Sequence, residues 1–377
     1  MVESLIDTHF LPLGLLLLFG LTWLIQLGYY WLLFWRLAHY RAKPPATRET
    51  GVSVVICAHN ECHHLHEALP LILEQDYPEF EVLVVNHASD DDTVFLLSEL
   101  EKQYPHLKQI TIQEDLNFFS GKKFPLSIGI RSARYDKVLL TDADCRPASR
   151  SWIREMVAGF RPGVELVLGY GAYNKQKGFL NKLIRFDTAH IAIQYLSYAL
   201  AGIPYMGVGR NLSYLKQLFI RNKGFISHYR IRSGDDDLFV NRVAGRSNTT
   251  IALTPGSFTF SEPKSTFGKW ITQKRRHFST SIHYRFVHRL LLGTYSFSLL
   301  VYYTLFILLL SLAISPVPVL ALFALRLITQ FIITARCMKR LEEKDLVPWI
   351  PLFDLMLLLL NTGLVLSNVF SKPPRWK

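Results

Sequence analysis

Cysteine is scarce in this chain. The four cysteines, Cys57, Cys62, Cys145 and Cys337, include no C-x-x-C pair. That argues against a disulfide framework or a thiolate zinc site and suits a reducing compartment. Charge is missing from three long stretches. Residues 10–35 hold no Asp, Glu, Lys or Arg, residues 290–335 hold only Arg326, and residues 347–371 hold only Asp354. About 20 apolar residues suffice to cross a bilayer, so a wholly soluble protein is excluded. The remainder has an ordinary aqueous composition, which excludes a polytopic transporter. Aromatic residues make up 13% of the 377 residues, too many for a disordered chain. The mean hydropathy of +0.18 therefore averages two solvents. Acids are the minority charge, 30 against 42 Lys and Arg, for a net +12. A nucleic-acid partner is the first thought for so basic a chain. The excess is concentrated beside the apolar stretches instead: residues 264–290 hold seven Lys or Arg and no acid. That pattern suits a membrane surface and an anionic substrate such as a nucleotide diphosphate, and no nucleic acid is expected.

The first span is expected over Phe10–Trp35, with Glu3 and Asp7 before it and Arg36, Arg41, Lys43 and Arg48 after it. The positive-inside rule places the N-terminus outside and residue 36 onward in the cytoplasm. A cleaved signal peptide fits less well, because the positive flank is on the wrong side and the apolar core is too long. Further spans are expected over Leu292–Ile314, Val319–Thr334 with its flanks, and Pro348–Phe370, with Pro316 and Pro318 making a tight turn. An alternating path leaves Lys372, Arg375 and Lys377 outside, against the charge rule. Arg326 and Asp354 are costly in lipid and should face protein; a mutual pair and a snorkelling arginine are both open. The organisation expected is an N-terminal transmembrane helix over residues 1–36, a cytosolic domain over 50–262, a basic interfacial segment over 263–290 and a C-terminal membrane region of about three segments over 291–371. The expected location is the bacterial cytoplasmic membrane, with the aqueous domain facing the cytoplasm.

The middle of the chain alternates strand and helix patterns. Strands are expected over 52–57, 81–85, 109–113 and 137–141, and helices over 61–74, 90–104 and 122–133. This order implies an α/β fold, Rossmann-like, with a mostly parallel sheet and helices on both faces. Ligands then sit at the carboxyl ends of the strands, where the polar residues cluster. Ala58-His-Asn-Glu61 follows the first strand, Asn86-His-Ala-Ser-Asp-Asp-Asp-Thr93 the second, and Asp142-Ala-Asp144 the fourth. Two carboxylates one residue apart after a buried strand can grip a hard cation such as Mg2+ or Mn2+. In Ser233-Gly-Asp-Asp-Asp-Leu238, like charges raise one another's pKa and suit a general base, or simply an acidic helix start. Gly121-Lys-Lys123 opens a helix, where backbone N–H groups and lysines suit phosphate. In Gln273-Lys-Arg-Arg-His277, an arginine could neutralise a diphosphate leaving group.

In this order, with apolar spans on either side, the motifs AHNE, VVNHASDDDT, GKK, DAD, GVGRN, GDDD and QKRRH resemble the membrane-bound inverting glycosyltransferases of family 2. That group includes cellulose, hyaluronan and poly-N-acetylglucosamine synthases and ceramide glucosyltransferase. The resemblance covers about residues 50–280 and implies a GT-A fold, a nucleotide-sugar donor (a UDP-sugar), a divalent cation and a lipid or glycan acceptor. Ala58, Asn60, Glu61, Asn86 and Lys122 then belong to the donor side, with Asp142 and Asp144 as the metal motif and Asp144 the direct ligand. Asp236 matches the catalytic base of the family's Glu-Asp motif, with Asp235 in the Glu place; the register is open by one because three Asp are consecutive. Gly207–Asn211, with Gly209 and Asn211, line the acceptor side, and Gln273 and Arg276 match the first and fourth positions of QxxRW. Asn86 stands where the family usually has a carboxylate. His277 replaces the Trp that would stack on an acceptor sugar. That replacement favours a single transfer to a lipid over a processive polysaccharide synthase; a catalytically inactive scaffold, which Asn86 and His277 would suit, is opposed by the intact DAD and GDDD motifs.

Overall fold

The run Val52–Ala58 can only be a strand with both faces covered, because β-branched and apolar residues follow one another without the alternation of a half-exposed strand. In the computed structural model, which describes residues 2–42, 49–113, 121–231 and 233–370, it lies in the interior of the sheet, with a strand on each side. The basic residues Lys43, Arg48, Lys372, Arg375 and Lys377 lie outside the described residues, as do the side chains of Glu3 and Asp7. The strands are β1 (Val52–Ala58), β2 (Phe80–His87), β3 (Leu107–Ile112), β4 (Lys137–Asp142), β5 (Arg146–Pro147), β6 (Leu166–Leu168), β7 (Gly171–Tyr173), β8 (Leu212–Leu215), β9 (Thr249–Ile251) and β10 (Thr259–Ser261). The helices are α1 (Val2–Gly28), continued through a π-helical turn at Tyr29–Phe34 into α2 (Trp35–Ala38), then α3 (Cys62–Leu73), α4 (Thr93–Gln103), α5 (Lys123–Ser132), α6 (Trp152–Val157) and α7 (Phe179–Leu200). After these come α8 (Lys216–Arg221), α9 (Asp237–Val243), α10 (Phe267–Ser281), α11 (Phe286–Ser311), α12 (Pro316–Arg340) and α13 (Ile350–Phe370).

The chain divides into two compact units. The larger, Arg41–Tyr284 with the last residues, is the α/β unit. Its seven-stranded sheet has the order β3-β2-β1-β4-β8-β6-β9. β1 is parallel to β2 and β4, and β2 to β3, as expected. β8 runs antiparallel to both its neighbours, which the strand-helix alternation does not announce. A second sheet, β5-β10-β7, extends from the end of β4. Val54, Ile56, Val82, Val84 and Leu139 form the core with Trp152 and Met156. On α5, a Cβ at Gly129 would stand 2.5 Å from Val55 and 2.9 Å from Val85, so this glycine lets the helix lie directly on β1 and β2. Residues 263–284 of the basic segment belong to this unit, and Arg285 onward to the other.

The second unit combines the N-terminal helix with α11, α12 and α13. Among the described residues, four helices are long and apolar enough to cross a membrane: Leu11–Ala38, Phe286–Ser311, Pro316–Arg340 and Lys344–Asn368. Pro316 and Pro318 do not make the turn between spans. They open α12, where proline's missing N–H is harmless, and Ala313 (φ 53°) and Ser315 (φ 44°) make the bend. Within this unit Phe19 stacks on Tyr302 at 4.9 Å, and the Gln26 amide donates to Ser298 Oγ at 2.8 Å. Arg326 is fully buried beside Asp354, Nη2 to Oδ2 3.4 Å, so the paired alternative holds and the snorkelling one does not.

Candidate active site

Strand register brings the motifs together. Ala58 lies opposite Asn86, and Cys57 opposite Asp142, so three polar loops leave one edge of the sheet. Because β8 runs the other way, the segment entering it, Gly207–Asn211, arrives at the same edge. Asp142-Ala-Asp144 is a turn closed by the Cys145 N–H on the Asp142 carbonyl at 3.1 Å. Carboxylate oxygens of Asp142 and Asp144 and the Cys145 sulfur lie within 4.8 Å of one another. Lys122 is ion-paired with Asp142. Burial opposes the Lys122 ammonium, but Asp142 and Asp235 hold it charged well above the usual lysine range. Burial likewise opposes the Asp142 carboxylate, and Lys122 outweighs it, holding Asp142 below the usual range. Asp144 is shifted up, by burial first and by Asp142 second. Burial pushes the Cys145 thiol far up, so it stays protonated and donates to Asp144 Oδ1 at 3.5 Å. The donor set is therefore two hard carboxylates without a thiolate. It fits Mg2+ or Mn2+, whose remaining positions go to phosphate and water, and does not fit zinc.

The loops after β1 and β2 are stitched together. Asn60, in a left-handed conformation (φ 56°), donates its N–H to Ser89 Oγ at 2.9 Å, and its Oδ1 accepts from the Asp90 N–H at 2.9 Å. Ser89 in turn donates to Asn86 Oδ1 at 2.5 Å. Asn86 is fully buried, and its Nδ2 has no hydrogen-bond partner among the described residues. Ala58 is buried at the strand end, and Glu61 sits 2.5 Å from His64 Nδ1.

The three consecutive aspartates have three different environments. Asp237 is buried; its Oδ2 accepts from Thr280 Oγ1 and from the Tyr284 hydroxyl at 2.7 Å, and its Oδ1 from the Leu238 N–H at 2.7 Å. It is a brace between α9 and the α10 end. Asp236 caps α9: Oδ1 accepts from the Asp237 N–H and Oδ2 from the Gly209 N–H, both at 2.7 Å. The Asp235 carboxylate accepts from its own main-chain N–H and lies within electrostatic reach of Asp236, Lys122 and Asp142. Asp235 and Asp236 are each pushed up to about 6, by burial and then by the next aspartate in the row.

From α10, Gln273 donates to the Tyr173 hydroxyl at 3.1 Å. Arg276, one helical turn on, is half-buried and within electrostatic reach of Asp235, Asp236 and Asp142. His277 is exposed. The nearly buried ion pair of Lys274 with Asp187, at 2.6 Å, fastens α10 to α7. Asn211, expected on the acceptor side, is fully buried instead. It donates to the Tyr170 and Ser257 carbonyls (2.9 and 2.7 Å) and accepts from Trp152 Nε1 at 3.1 Å, which makes it an internal brace. Its neighbour Arg210, not singled out from the sequence, faces the site. Its guanidinium lies 4.3 Å from the Tyr173 ring centroid, donates to Ser261 Oγ at 2.9 Å, and acts electrostatically on Asp144 and Asp142. Spacing alone could not say which residue of Gly209-Arg-Asn211 points outward.

A family model described as Glycosyl transferase family 21 matches residues 18–372. Over 94 residues the chain is 32% identical to a poly-beta-1,6-N-acetyl-D-glucosamine synthase of Staphylococcus epidermidis, covering 25% of this chain and 22% of that protein. The matched stretch thus spans about a fifth of that relative's length. It is 24% identical over 277 residues to a probable glycosyltransferase, YdaM, of Bacillus subtilis, covering 68% of this chain and 63% of the relative. Among solved structures, a mannosyltransferase from Pyrobaculum calidifontis in complex with GDP-Man and Mn2+ superimposes with a TM-score of 0.58 at 20% identity, covering 89% of this chain and 98% of that one. The fold of the α/β unit is accordingly GT-A.

Proposed function

The chain belongs to glycosyl transferase family 21, and on that footing we propose that it moves a sugar from a nucleotide-diphosphate sugar, a UDP-sugar, to a membrane-associated lipid acceptor with inversion at the anomeric carbon. The observation that carries this reading is the position of Lys122, which pairs with Asp142 of the Asp-x-Asp turn and interacts electrostatically with Asp235 of the acidic strap. Donor phosphates and acceptor hydroxyl would thus meet at one edge of the sheet.

Asp235 is the proton acceptor in this reading. Its oxygens are not engaged by other described residues, whereas Asp236 is held by two main-chain N–H groups and Asp237 by two hydroxyls. Asp236 raises its neighbour's basicity. The acceptor oxygen, losing its proton to Asp235, forms a bond to the anomeric carbon as the bond from that carbon to the diphosphate breaks. Arg276, Arg210 and Lys122 neutralise the departing charge, which is the main electrostatic demand of the step. Asp142 and Asp144 would hold a divalent cation, which when bound supplies further charge neutralisation at the diphosphate. The exposed His277 and the four apolar helices support a single transfer to a lipid.

The test is turnover by the detergent-purified protein across a panel of nucleotide sugars, with Mg2+ or Mn2+ and with lipid extracts. Transfer of one sugar to a lipid, with inverted anomeric configuration by NMR, is expected. Polymer formation, or retention of configuration, would overturn the reading.

A further inference from the structure

The two lysines of Gly121-Lys122-Lys123 do different things. Lys122 turns to Asp142, while Lys123 is buried at the start of α5 and donates to three main-chain carbonyls. These belong to His228 (2.7 Å), Ile231 (2.5 Å) and Ser233 (2.8 Å), in the segment that leads into Gly234 and Asp235. An ammonium has three donors, and this geometry uses all of them. At the far end of the same strap Asp237 is held by Thr280 and Tyr284. Between the two fastenings Gly234 has φ +94°, and a Cβ there would stand 2.4 Å from Leu238. Burial lowers the Lys123 pKa to about 8, with Asp235, Asp237 and Asp236 opposing, so the clamp is charged at neutral pH.

We infer that Lys123 is a positioning residue for transfer: it draws the backbone at His228, Ile231 and Ser233 onto α5 and so fixes where Asp235 stands relative to the Lys122–Asp142 pair. The inference rests on the assignment of Asp235 as proton acceptor. Consecutive lysines at one helix start then set the donor side and the base side from a single rigid point.

The test compares wild type with Lys123→Met, full-length in detergent, by three readouts: equilibrium binding of UDP and GDP with Mn2+, turnover of the nucleotide sugar, and amide hydrogen exchange over residues 229–238. Nucleotide affinity should stay within about threefold while kcat falls about 100-fold, the cost of a misplacement near 1 Å. Exchange in the strap should quicken by at least about tenfold, as for a locally opened segment. Gly234→Ala, which strains the strap from its other side, should give the same split and serves if the methionine variant does not fold. Unchanged kcat, unchanged strap exchange, or a parallel collapse of nucleotide binding would overturn the inference. Full activity in Asp235→Asn would instead remove the base assignment, and the exchange data would still report on the clamp.

Discussion

The molecule buries charge in two places and treats it in opposite ways. In the helical unit, Arg326 gives its Nη1 to Gln330 Oε1 at 2.7 Å and to the Tyr303 hydroxyl at 3.2 Å, while its Nη2 faces Asp354 and Gln26 Oε1, each at 3.4 Å. The rings of Tyr30, Tyr302 and Tyr303 surround it, with centroids 5.4–5.8 Å from the guanidinium carbon. One charge of each sign is enclosed, and the helices that carry them are tied together. At the strand ends of the α/β unit, four acids, Asp142, Asp144, Asp235 and Asp236, face three cations, Lys122, Arg210 and Arg276, and two of these acids are held near 6. The first cluster is balanced and closed. The second is unbalanced, and a proton, a cation or a cationic transition-state partner relieves it. Buried charge of the first kind specifies packing, and buried charge of the second kind is available for chemistry.

The comparison can be broken most forcefully in the cleft. Asp235→Asn should lower kcat about 1,000-fold, within the range for a lost general base, with UDP binding retained. Asp236→Asn should cost less, because in the proposed reading Asp236 caps α9 and raises its neighbour without taking the proton. Equal losses, or a larger loss at Asp236, would reverse the assignment. The next largest effect belongs to the helical unit: Arg326→Met leaves Asp354 buried without its partner and should cost roughly 3 kcal/mol of stability in detergent unfolding. Adding Asp354→Leu should recover most of that loss. No such rescue exists for paired removals in the cleft, where activity would stay lost.

Asp144→Ala should weaken Mn2+-dependent UDP binding by a factor of about 10 to 100, as for loss of a metal-site group. Isothermal titration with and without EDTA checks it, and binding indifferent to EDTA in the wild type would remove the metal role. The smallest effect is that of pH. Asp235 must be ionised to accept a proton, and its pKa is raised to about 6. The pH profile of kcat/KM should therefore fall about tenfold per pH unit below 6 and level off above it.

Much of this was legible beforehand, for physical reasons. Apolar runs such as Val52–Cys57 and the charge-free spans state their solvent directly. Strand order alone puts the Asp-x-Asp turn and the loops after β1 and β2 at one edge of the sheet, whereas Lys122 is suggested by a helix start and Arg276 by the resemblance. Less legible was anything decided by side-chain direction. Nothing in Gly-Asp-Asp-Asp distinguishes the aspartate that meets two hydroxyls from the one left open. Nothing in Gly209-Arg-Asn211 reveals that the amide turns inward to Trp152 and the guanidinium outward. Lys123 looked like a second phosphate ligand because its three partners are backbone carbonyls more than 100 residues away, and carbonyls carry no sequence signature. The proline pair at 316 and 318 misled in a different way, since the same residue that ends one helix can begin the next.

The backward course of β8 bears on how such a protein diverges. Strands β1, β2 and β4, with the loops that follow them, are encoded within residues 52–144, and in the proposed reading they carry most of the donor side. The other side comes from segments after residue 200: the loop entering β8, the strap before α9 and one face of α10. The two sides join through the short antiparallel ladder from Lys137–Leu215 to Leu140–Leu212, which ends before that loop begins. Asn211, at the point where that loop meets the ladder, is anchored by its own bonds to Tyr170, Ser257 and Trp152. In the proposed reading, acceptor choice would then depend mainly on the segments after residue 200. Grafting residues 52–144 from a relative would then transfer only part of its donor preference, because in the proposed reading Arg210 and Arg276 also serve the departing diphosphate.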